Sequence, residues 1–387
     1  MEKLRLIELF AGYGSQAMAL KRAGVPFTHY KVVEFDKYAI ASYNAVHGTN
    51  FPTMDITKVH AQDLEIVDTD KYKYLLTYSF PCTDLSVAGK MEGMSKGSGT
   101  RSGLLWEVER ILEECKDNLP QFLLMENVTQ VHGEQNIADF TEWIRYLSTK
   151  GYKSKWQDLN AKDYGIPQNR DRCFMVSYLD KKTRFEFPLP FKLSKFLKDY
   201  LESDIDDKYY LSERSTKRII RALEKDHSPN FIDDKEICYT IDTRVGAEGN
   251  YSQYIRNYIP IRNGTKKGYI EAYSGDYVNL QYDTSDSRRG RVGKGCIHTL
   301  CCNDRQGVVT DNLKIRKLTP LECYRLMGVT DEDALKMIRI NPISQCYKQA
   351  GNSIVVDVMV EIFKNLFLGG SYNIPSQMDI DDLLTQL

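Results

Sequence analysis

Several features are missing from this sequence of 387 residues, and each absence excludes a class of protein. No stretch approaches the roughly 20 consecutive apolar residues that a membrane-spanning helix requires. The N-terminal segment is interrupted by charged residues such as Glu8 and lacks the apolar run and processing site of a secretory signal. We therefore expect a globular protein of the cytoplasm, with no membrane partner.

The nine cysteines include no Cys-x-x-Cys pair, the spacing most typical of zinc-binding motifs. Cys301 and Cys302 are adjacent and Cys296 lies a few residues upstream, but neither a second ligand pair nor a histidine cluster accompanies them. We interpret these cysteines as reduced structural thiols, and we expect no metal site.

A large excess of positive charge is also missing, because 52 Lys and Arg residues face 53 Asp and Glu residues. A nucleic acid partner remains compatible with this balance, since local charge matters more than the total. Basic residues are concentrated in one short segment, at Arg288, Arg289, Arg291 and Lys294. Such a cluster is either a solvated surface or part of a nucleic acid interface.

The first half of the chain alternates between short apolar runs, typical of buried strands, and amphipathic stretches, typical of helices. We predict strands over 4–10, 30–35, 74–79, 122–125 and 173–178. We predict helices over 15–23, 37–46 and 103–116, and one that includes 143–147. Strands separated by helices predict an α/β fold with a parallel sheet that is covered on both faces.

This alternation stops after about residue 185 and returns near the C-terminus. Residues 187–312 are rich in Tyr, Asp, Lys and Gly, with a helical pattern only over 214–223. Helical patterns resume over 319–327 and 354–367. We predict a large domain formed by residues 1–186 and 329–387, and a smaller irregular domain formed by residues 187–328.

A glycine-containing turn, Phe10–Ser15, follows the first predicted strand. Glycine permits the unusual backbone angles and the close ligand approach that such a turn needs. Glu34 follows about 20 residues later at the end of the second strand, where a carboxylate can bind both ribose hydroxyls. Asp55 is either an acceptor for an adenine amino group, with Ile56 packed on the ring, or a helix N-cap. The pattern indicates a dinucleotide or adenosyl cofactor, or a tight turn without a ligand.

Reactive side chains follow two further predicted strands. Cys82 comes after the strand over 74–79, and Glu126 comes after the strand over 122–125. Both should lie at the carboxyl edge of the sheet, where ligands of open α/β sheets bind. Arg170 and Arg172 stand at alternate positions before the next strand, which would direct both guanidinium groups to one face.

Six motifs, in this order and spacing, make the chain resemble the cytosine C5 DNA methyltransferases. They are Phe10–Ser15, Pro81–Ser86, Glu126–Val128, Gln168–Arg172, Arg316–Gly328 and Gln349–Ser353. The resemblance covers nearly the whole chain apart from about 187–285. It implies a Rossmann-like large domain that uses S-adenosylmethionine, and a smaller target recognition domain that binds double-stranded DNA.

The resemblance also implies a role for each matching residue. Cys82 would add to C6 of a flipped-out cytosine, Glu126 would contact N3, Arg172 would hold O2, and Arg170 would support the same pocket. Asn352 would fasten the C-terminal segment against the first turn. The residues expected around S-adenosylmethionine are Phe10, Gly12, Gly14, Glu34, Asp55, Ile56, Pro81 and Asn352. In one departure from the family, Thr83 replaces the usual Gln, which predicts a change either in base extrusion or in the rate.

The loop over 87–101, directly after the nucleophile, contains four glycines and predicts a mobile lid over the target base. The predicted DNA contacts are Ser86, Lys90, Arg101, Arg288, Arg289, Arg291 and Lys294. A tRNA cytosine C5 methyltransferase, or a catalytically silent DNA-binding protein, could share this scaffold. The long basic insertion favours DNA, and the retained Cys82, Glu126 and Arg172 favour catalysis. We expect a monomer; the sequence leaves open whether a cognate restriction endonuclease acts separately.

Overall fold

The structure is a computed structural model that describes residues 4–85, 93–212, 215–216, 231–232, 254–255, 258–281 and 290–369. The helix predicted over 214–223 therefore lies almost entirely outside the described residues. So do Ser86 and Lys90 of the predicted lid, and Arg288 and Arg289 of the basic segment.

A six-stranded sheet forms the centre of the molecule. The strands in the first half of the chain are β1 (Leu4–Leu9), β2 (Phe27–Val33), β3 (Lys73–Tyr78), β4 (Phe122–Asn127), β5 (Lys153–Asn160), β6 (Gln168–Asn169) and β7 (Asp171–Tyr178). All but β6 belong to the central sheet, in the spatial order β2-β1-β3-β4-β7-β5. β1 pairs in parallel with β2 and β3, and β3 pairs in parallel with β4.

The prediction of a wholly parallel sheet is wrong for β7, which runs antiparallel to both β4 and β5. The connection between β5 and β7 contains only a short 3-10 turn, Ala161–Tyr164, and the two-residue β6. This is too short for the helical crossover that a parallel neighbour requires, so the chain must turn back. As a result, the first residues of β7 lie beside the last residues of β4.

Helices cover both faces of the sheet. The described helices are α1 (Ser15–Ala23), α2 (Lys37–His47), α3 (Ala61–Leu64), α4 (Leu105–Cys115), α5 (Ile137–Thr149), α6 (Pro320–Arg325), α7 (Asp331–Ile340), α8 (Ile343–Asn352) and α9 (Val356–Phe367). α1 has the predicted bounds, whereas α4 starts later than predicted because Ser102–Leu104 forms a 3-10 turn. Within the described ranges, no helix is both long enough and apolar enough to cross a bilayer.

The side chains of β1 alternate between two cores, as the pleat of a strand requires. Leu6 packs in a core that also contains residues of α1 and α9. Its neighbour Ile7 packs in the opposite core, which contains residues of α4 and α5. Because α9 lies on α1 despite its distance in sequence, the C-terminal helices complete the layer that the first helix begins.

Short strands make up much of the described part of the second half, which we predicted to be irregular. They are β8 (Phe231–Ile232), β9 (Tyr254–Ile255), β10 (Ile259–Arg262), β11 (Tyr269–Ala272), β12 (Tyr277–Asn279), β13 (Val292–Gly293), β14 (Ile297–His298), β15 (Gln306–Val309) and β16 (Ile315–Lys317). An antiparallel sheet has the order β13-β12-β15-β16, and β10 pairs with β11. Strands of two to four residues are too short to show alternation in the sequence.

The two halves share one continuous core. Leu300 and Val308 from the second half belong to the same buried cluster as Leu6 of β1. The ring of Tyr324, on α6, packs edge-on against Tyr13 with 5.7 Å between centroids. α6, which we predicted in the smaller domain, therefore packs against the turn that follows β1.

Candidate active site

Three of the predicted catalytic side chains come together at one edge of the central sheet. Cys82 follows the carboxyl end of β3, and Glu126 is the penultimate residue of β4. The reversed direction of β7 brings Arg172 to the same edge, where its Nε lies 3.2 Å from Oε1 of Glu126. We predicted from the sequence that these side chains lie close together, but not that an antiparallel strand brings Arg172 to this edge.

Hydrogen bonds fix the backbone just before Cys82. The Ser102 hydroxyl donates to the carbonyl of Pro81 at 2.7 Å, and this carbonyl belongs to the peptide that joins Pro81 to Cys82. Asp84 and Ser102 also bond reciprocally, because the Ser102 N–H donates to Oδ2 of Asp84 and the Asp84 N–H donates to Oγ of Ser102. Both side chains are buried. We call Asp84 and Ser102 the clamp.

A second contact reaches the same segment from β4. Nδ2 of Asn127 donates to the carbonyl of Phe80 at 2.9 Å, and its Oδ1 accepts from the N–H of Val128 at 2.8 Å. The end of β4 thus holds the end of β3, so the residues that carry Cys82 and Glu126 form one connected unit.

The described part of the predicted lid, residues 93–101, is anchored to the large domain. Met94 is fully buried, and its carbonyl accepts a hydrogen bond of 2.7 Å from the indole of Trp106. The N–H of Gly93 donates to the carbonyl of Asp84 at 3.0 Å. These contacts hold the C-terminal side of the loop close to the clamp.

Burial and the neighbouring arginines shift the pKa values of Glu126 and Cys82 in opposite directions. Burial raises the pKa of Glu126, while Arg172 and Arg170 lower it less strongly. Burial also raises the pKa of the Cys82 thiol, which Arg172 lowers and Glu126 raises further. Because an ionised Glu126 disfavours the thiolate, a proton on Glu126 and a negative charge on Cys82 favour each other. The site can therefore provide an acid and a nucleophile together.

Arg170 makes contacts of a different kind from those of Arg172. It is almost fully buried, and its Nη2 donates to the carbonyls of Gly351 at 3.0 Å and Ser353 at 2.6 Å. Its Nη1 donates to the carbonyl of Leu300 at 3.3 Å. Burial and the like charge of Arg172 lower the pKa of Arg170. These contacts join the start of β7 to the end of α8.

The turn after β1 has the shape of a ligand cradle. Phe10 and Gly12 both have a φ of 57°, which costs a residue with a side chain roughly 1–2 kcal/mol. A Cβ added at Gly12 would meet nothing within 4 Å, so a ligand can approach the backbone there. Oε2 of Glu34 accepts from the Gly12 N–H at 2.9 Å, and Oε1 accepts from the Asp36 N–H at 2.8 Å. The residues around this turn fit an adenosyl cofactor.

Gly14 is needed for a different reason. A Cβ at this position would lie 2.3 Å from Nε2 of His47 and 2.7 Å from a ring carbon of Tyr43. The close approach of α2, together with a φ of 84°, accounts for glycine at this position. Its predicted contact with the cofactor stays a prediction.

The two readings of Asp55 can hold together. Its Oδ1 accepts from the N–H of Thr57 at 3.1 Å and from the Thr57 hydroxyl at 2.8 Å, so Asp55 does cap a short 3-10 helix. The side chain nevertheless lies exposed, while Ile56 is buried. Phe35, which follows Glu34 directly, is 73% exposed and offers a large aromatic face beside the cradle.

The C-terminal segment is fastened to the first turn, but by another residue than the one predicted. The hydroxyls of Ser353 and Ser15 lie 2.5 Å apart. Asn352 instead accepts a hydrogen bond on Oδ1 from the Cys302 thiol, at 2.7 Å. Asn352 therefore contacts Cys302, between β14 and β15, and Ser353 contacts the start of α1.

Three of the predicted DNA contacts lie among the described residues, and they differ in their exposure and in their hydrogen-bond partners. Arg101 and Arg291 are exposed at the surface. Nζ of Lys294 donates to Oδ2 of Asp276 at 2.5 Å and to the carbonyl of Glu271 at 2.6 Å. Lys294 would have to give up one of these contacts to bind a phosphate.

From the sequence we assigned no role to Ser102 and Asn127, which hydrogen-bond the segment before Cys82, or to Phe35, which is exposed beside Glu34. Asn127 stands directly after Glu126, so its place at the strand end could have been noticed. Phe35 likewise follows Glu34. Ser102 lies 21 residues after Pro81, and no sequence pattern connects the two.

The family model for C-5 cytosine-specific DNA methylases matches residues 4–368. This chain belongs to that family. It is therefore a DNA cytosine-5 methyltransferase, an enzyme that methylates cytosine at C5 in a sequence-specific manner.

Curated relatives match along nearly their whole length. The type II methyltransferase M2.ScrFI of Lactococcus lactis subsp. cremoris is 30% identical, over 94% of this chain and 99% of the relative. The type II methyltransferase M.HhaI of Haemophilus parahaemolyticus is 30% identical, over 96% and 95%. The orphan methyltransferase M.SssI of Spiroplasma monobiae is 30% identical, over 94% and 97%.

Solved structures share the fold. The crystal structure of S. pombe Dnmt2 methyltransferase superposes with a TM-score of 0.57 at 20% identity, covering 94% of this chain and 98% of that one. At this identity the likeness shows a common fold and nothing finer. It agrees with a central sheet covered by helices on both faces.

Proposed function

We propose that this methyltransferase acts on a flipped-out cytosine in a specific duplex DNA sequence, through a covalent bond between Cys82 and C6 and with S-adenosylmethionine as donor. The observation that carries the proposal is the contact between Glu126 and Arg172 beside Cys82 at the carboxyl edge of the sheet. A buried acid, a cation and a thiol are the groups that a cytosine ring needs for activation.

Each side chain has a separate task on the ring. The Cys82 thiolate adds to C6, which makes C5 nucleophilic. Glu126, whose pKa burial raises, donates a proton to N3, and Arg172 holds the O2 carbonyl. After methyl transfer, loss of the proton from C5, departure of the Cys82 thiolate and return of the N3 proton to Glu126 restore the neutral aromatic ring. Thr83 is exposed next to Cys82 and has a shorter reach than Gln, so slower base extrusion is expected.

Arg170 acts through other residues rather than on the ring. Its hydrogen bonds to the carbonyls of Leu300, Gly351 and Ser353 hold two segments against the start of β7. One is the segment after β14, and the other is the end of α8. We therefore assign it as a positioning residue. Removal of its guanidinium should displace Arg172, its neighbour on the chain.

The donor would lie at the turn after β1. S-adenosylmethionine supplies an electrophilic methyl group when it is bound. Glu34 would accept from the ribose hydroxyls, Gly12 would allow close approach, and Phe35 would stack on the adenine ring. Exposed Asp55 would accept from the adenine amino group. The other proposed donor contacts are Phe10, Gly14, Ile56, Pro81 and Asn352.

The remaining proposals concern organisation and partners. Residues 187–328 would form the small domain that contains the target recognition region, and residues 1–186 with 329–387 the catalytic domain. Exposed Arg101 and Arg291 would contact phosphates. We further propose a cytoplasmic monomer. Because its relatives include both type II and orphan enzymes, a separate restriction endonuclease is a partner to test rather than to assume.

One assay tests the activity against its alternatives. Tritiated methyl transfer from S-adenosylmethionine is measured on duplex DNA and on tRNA, with wild type beside Cys82→Ala. Label in DNA from wild type alone is the expected result. Label in tRNA and none in DNA would favour an RNA enzyme, and no label in either would favour a silent scaffold. Bisulfite sequencing of DNA from expressing cells would then give the recognition site.

A further inference from the structure

Three side chains that are distant in sequence meet on the far side of β7 from Arg172. They are His132, Asp158 and Cys173, whose ligand atoms all lie within 4.8 Å of one another. Nε2 of His132 lies 2.9 Å from Oδ1 and 3.0 Å from Oδ2 of Asp158. Each residue thus offers one ligand atom to the cluster.

The backbone holds these residues in place. Asp158 on β5 and Cys173 on β7 are direct partners in the antiparallel register, so their side chains project from the same face as neighbours. His132 ends the 3-10 turn Thr129–His132 that follows β4. Its ring packs on the indole of Trp156, with 4.6 Å between centroids. Such preorganisation is what a metal site requires.

We propose that His132, Asp158 and Cys173 form a binding site for Zn²⁺. Imidazole nitrogen, carboxylate oxygen and thiolate sulfur are the three donor types that zinc takes, and three protein ligands leave a fourth tetrahedral position for water. The side chains of His132 and Asp158 are 21% and 38% exposed, so the ion can enter from solvent. Cys173 is fully buried and closes the inner side.

The charges balance when the site is filled. On binding, the Cys173 thiol loses its proton to solvent and its sulfur forms the bond to zinc. The thiolate and the Asp158 carboxylate then cancel the two charges of the cation, while His132 binds as a neutral ring. A neutral assembly suits a pocket that is buried on one side.

This site goes beyond the proposed function and does not depend on it. Cys173 packs in the core beneath α4 and α5, whereas its neighbour Arg172 turns to Glu126. We expected no metal site because the sequence shows no local cluster of ligands. Folding assembles this one from a turn and two strands that lie 26 and 15 residues apart along the chain.

Cobalt(II) provides a direct test, because it occupies zinc sites and reports a thiolate ligand by a charge-transfer band. The metal-free full chain is titrated with Co²⁺ and then with Zn²⁺. We expect one equivalent of Co²⁺ to bind and to produce this charge-transfer band, and we expect Zn²⁺ to displace the bound Co²⁺. Cys173→Ser should abolish the band, and His132→Gln and Asp158→Asn should each weaken the affinity by more than about tenfold.

Matched variants separate this site from other thiols. Cys302→Ser removes an exposed thiol near Cys82, and Cys115→Ser removes a buried thiol at the end of α4; both should keep the band. His60→Gln removes a histidine that also pairs with a carboxylate, and it should leave the affinity unchanged.

Two results would overturn the proposal: no stoichiometric binding by wild type, or a band that survives in Cys173→Ser. Loss of the band in Cys302→Ser would equally place the metal elsewhere. If Cys173→Ser folds poorly by circular dichroism, the partly exposed His132→Gln decides the matter by its affinity alone. None of these readouts requires methyl transfer, so failure here would leave the proposed function untouched.

Discussion

Two buried glutamate–arginine pairs in this molecule are built very differently. Glu322 receives both terminal nitrogens of Arg316, at 2.7 and 2.8 Å. The backbone N–H groups of Thr319 and Glu202 also donate to its two oxygens, each at 2.8 Å. Every oxygen of this carboxylate therefore has two partners, and the pair joins β16 to the first turn of α6.

The pair in the active site is much less complete. Arg172 approaches Glu126 through Nε alone at 3.2 Å, and one of its terminal nitrogens donates instead to the carbonyl of Asp171. Burial raises the pKa of Glu126 despite this cation. Both glutamates are buried, so burial alone does not distinguish an active-site carboxyl group from a structural one. An acid whose partners are incomplete can exchange a proton with a substrate, whereas a saturated one holds the fold together.

The largest effect should come from Glu126→Gln. This change keeps the shape of the side chain but removes the proton donor, so we expect kcat to fall by about 10²–10⁴-fold. The free energy of unfolding should not fall, because Gln need not be ionised in a buried place. Steady-state methyl transfer and urea unfolding measure the two quantities. A destabilised variant with nearly normal kcat would contradict the comparison.

Glu322→Gln should show the opposite pattern. It leaves the buried cation of Arg316 without its full partner, which should cost about 3–5 kcal/mol of unfolding free energy. Methyl transfer per folded molecule should stay close to wild type. Glu332→Gln is the control, because Glu332 pairs with Lys336 but is 80% exposed, and its loss should cost less than about 1 kcal/mol. Equal losses of unfolding free energy in Glu322→Gln and Glu332→Gln would contradict the expected difference between the buried pair and the exposed one.

A third buried glutamate, Glu8, extends the comparison of buried carboxylates because its partner is a hydroxyl group instead of a cation. Tyr43 donates to Glu8, yet burial raises the pKa of Glu8 to about 8. The folded state therefore keeps a proton that the unfolded state releases near pH 4.5. Stability should fall by about 1.4 kcal/mol per pH unit as the pH rises from about 4.5 to 8.

Urea unfolding at several pH values, with Glu8→Gln beside wild type, measures this contribution. The variant should lose that part of the slope, since its amide does not titrate. Identical slopes in the two proteins would show that Glu8 does not keep its proton.

The smallest effect should come from Ser102→Ala, which removes one side of the clamp. The Pro81 carbonyl loses a hydrogen bond worth about 0.5–1.5 kcal/mol, so kcat should fall up to about tenfold through a less well placed thiol. The KM for S-adenosylmethionine should change less than kcat, since Ser102 donates to the carbonyl of Pro81 and to no group of the turn after β1 among the hydrogen bonds of the described residues. Thr at this position should restore the rate, because it keeps the hydroxyl. An altered KM with unchanged kcat would contradict a role in placing Cys82.

The sequence was sufficient for the elements whose signals are local. Helix α1 was predicted with its observed bounds, and Cys82 and Glu126 were placed at one edge from strand order alone. The family name followed from motifs that lie in short segments, and the family comparison confirmed it.

Features that depend on long-range contacts were beyond the sequence. The antiparallel direction of β7 depends on the length of a connection, and the bond from Ser102 to Pro81 joins residues with no shared pattern. The strands of the second half are too short for periodicity to reveal them. Ser353 was passed over for Asn352 because both stand in one motif, and only the fold shows which one meets Ser15.

We infer that Cys82 is the nucleophile that attacks C6 of the cytosine beside the Glu126–Arg172 pair. Duplex DNA that contains 5-fluorocytosine at the target tests it directly, because fluorine replaces the C5 proton whose loss would release the enzyme. In the presence of S-adenosylmethionine, wild type should form an adduct that survives denaturing electrophoresis, and Cys82→Ala should form none. An adduct of equal yield with Cys82→Ala would contradict the account.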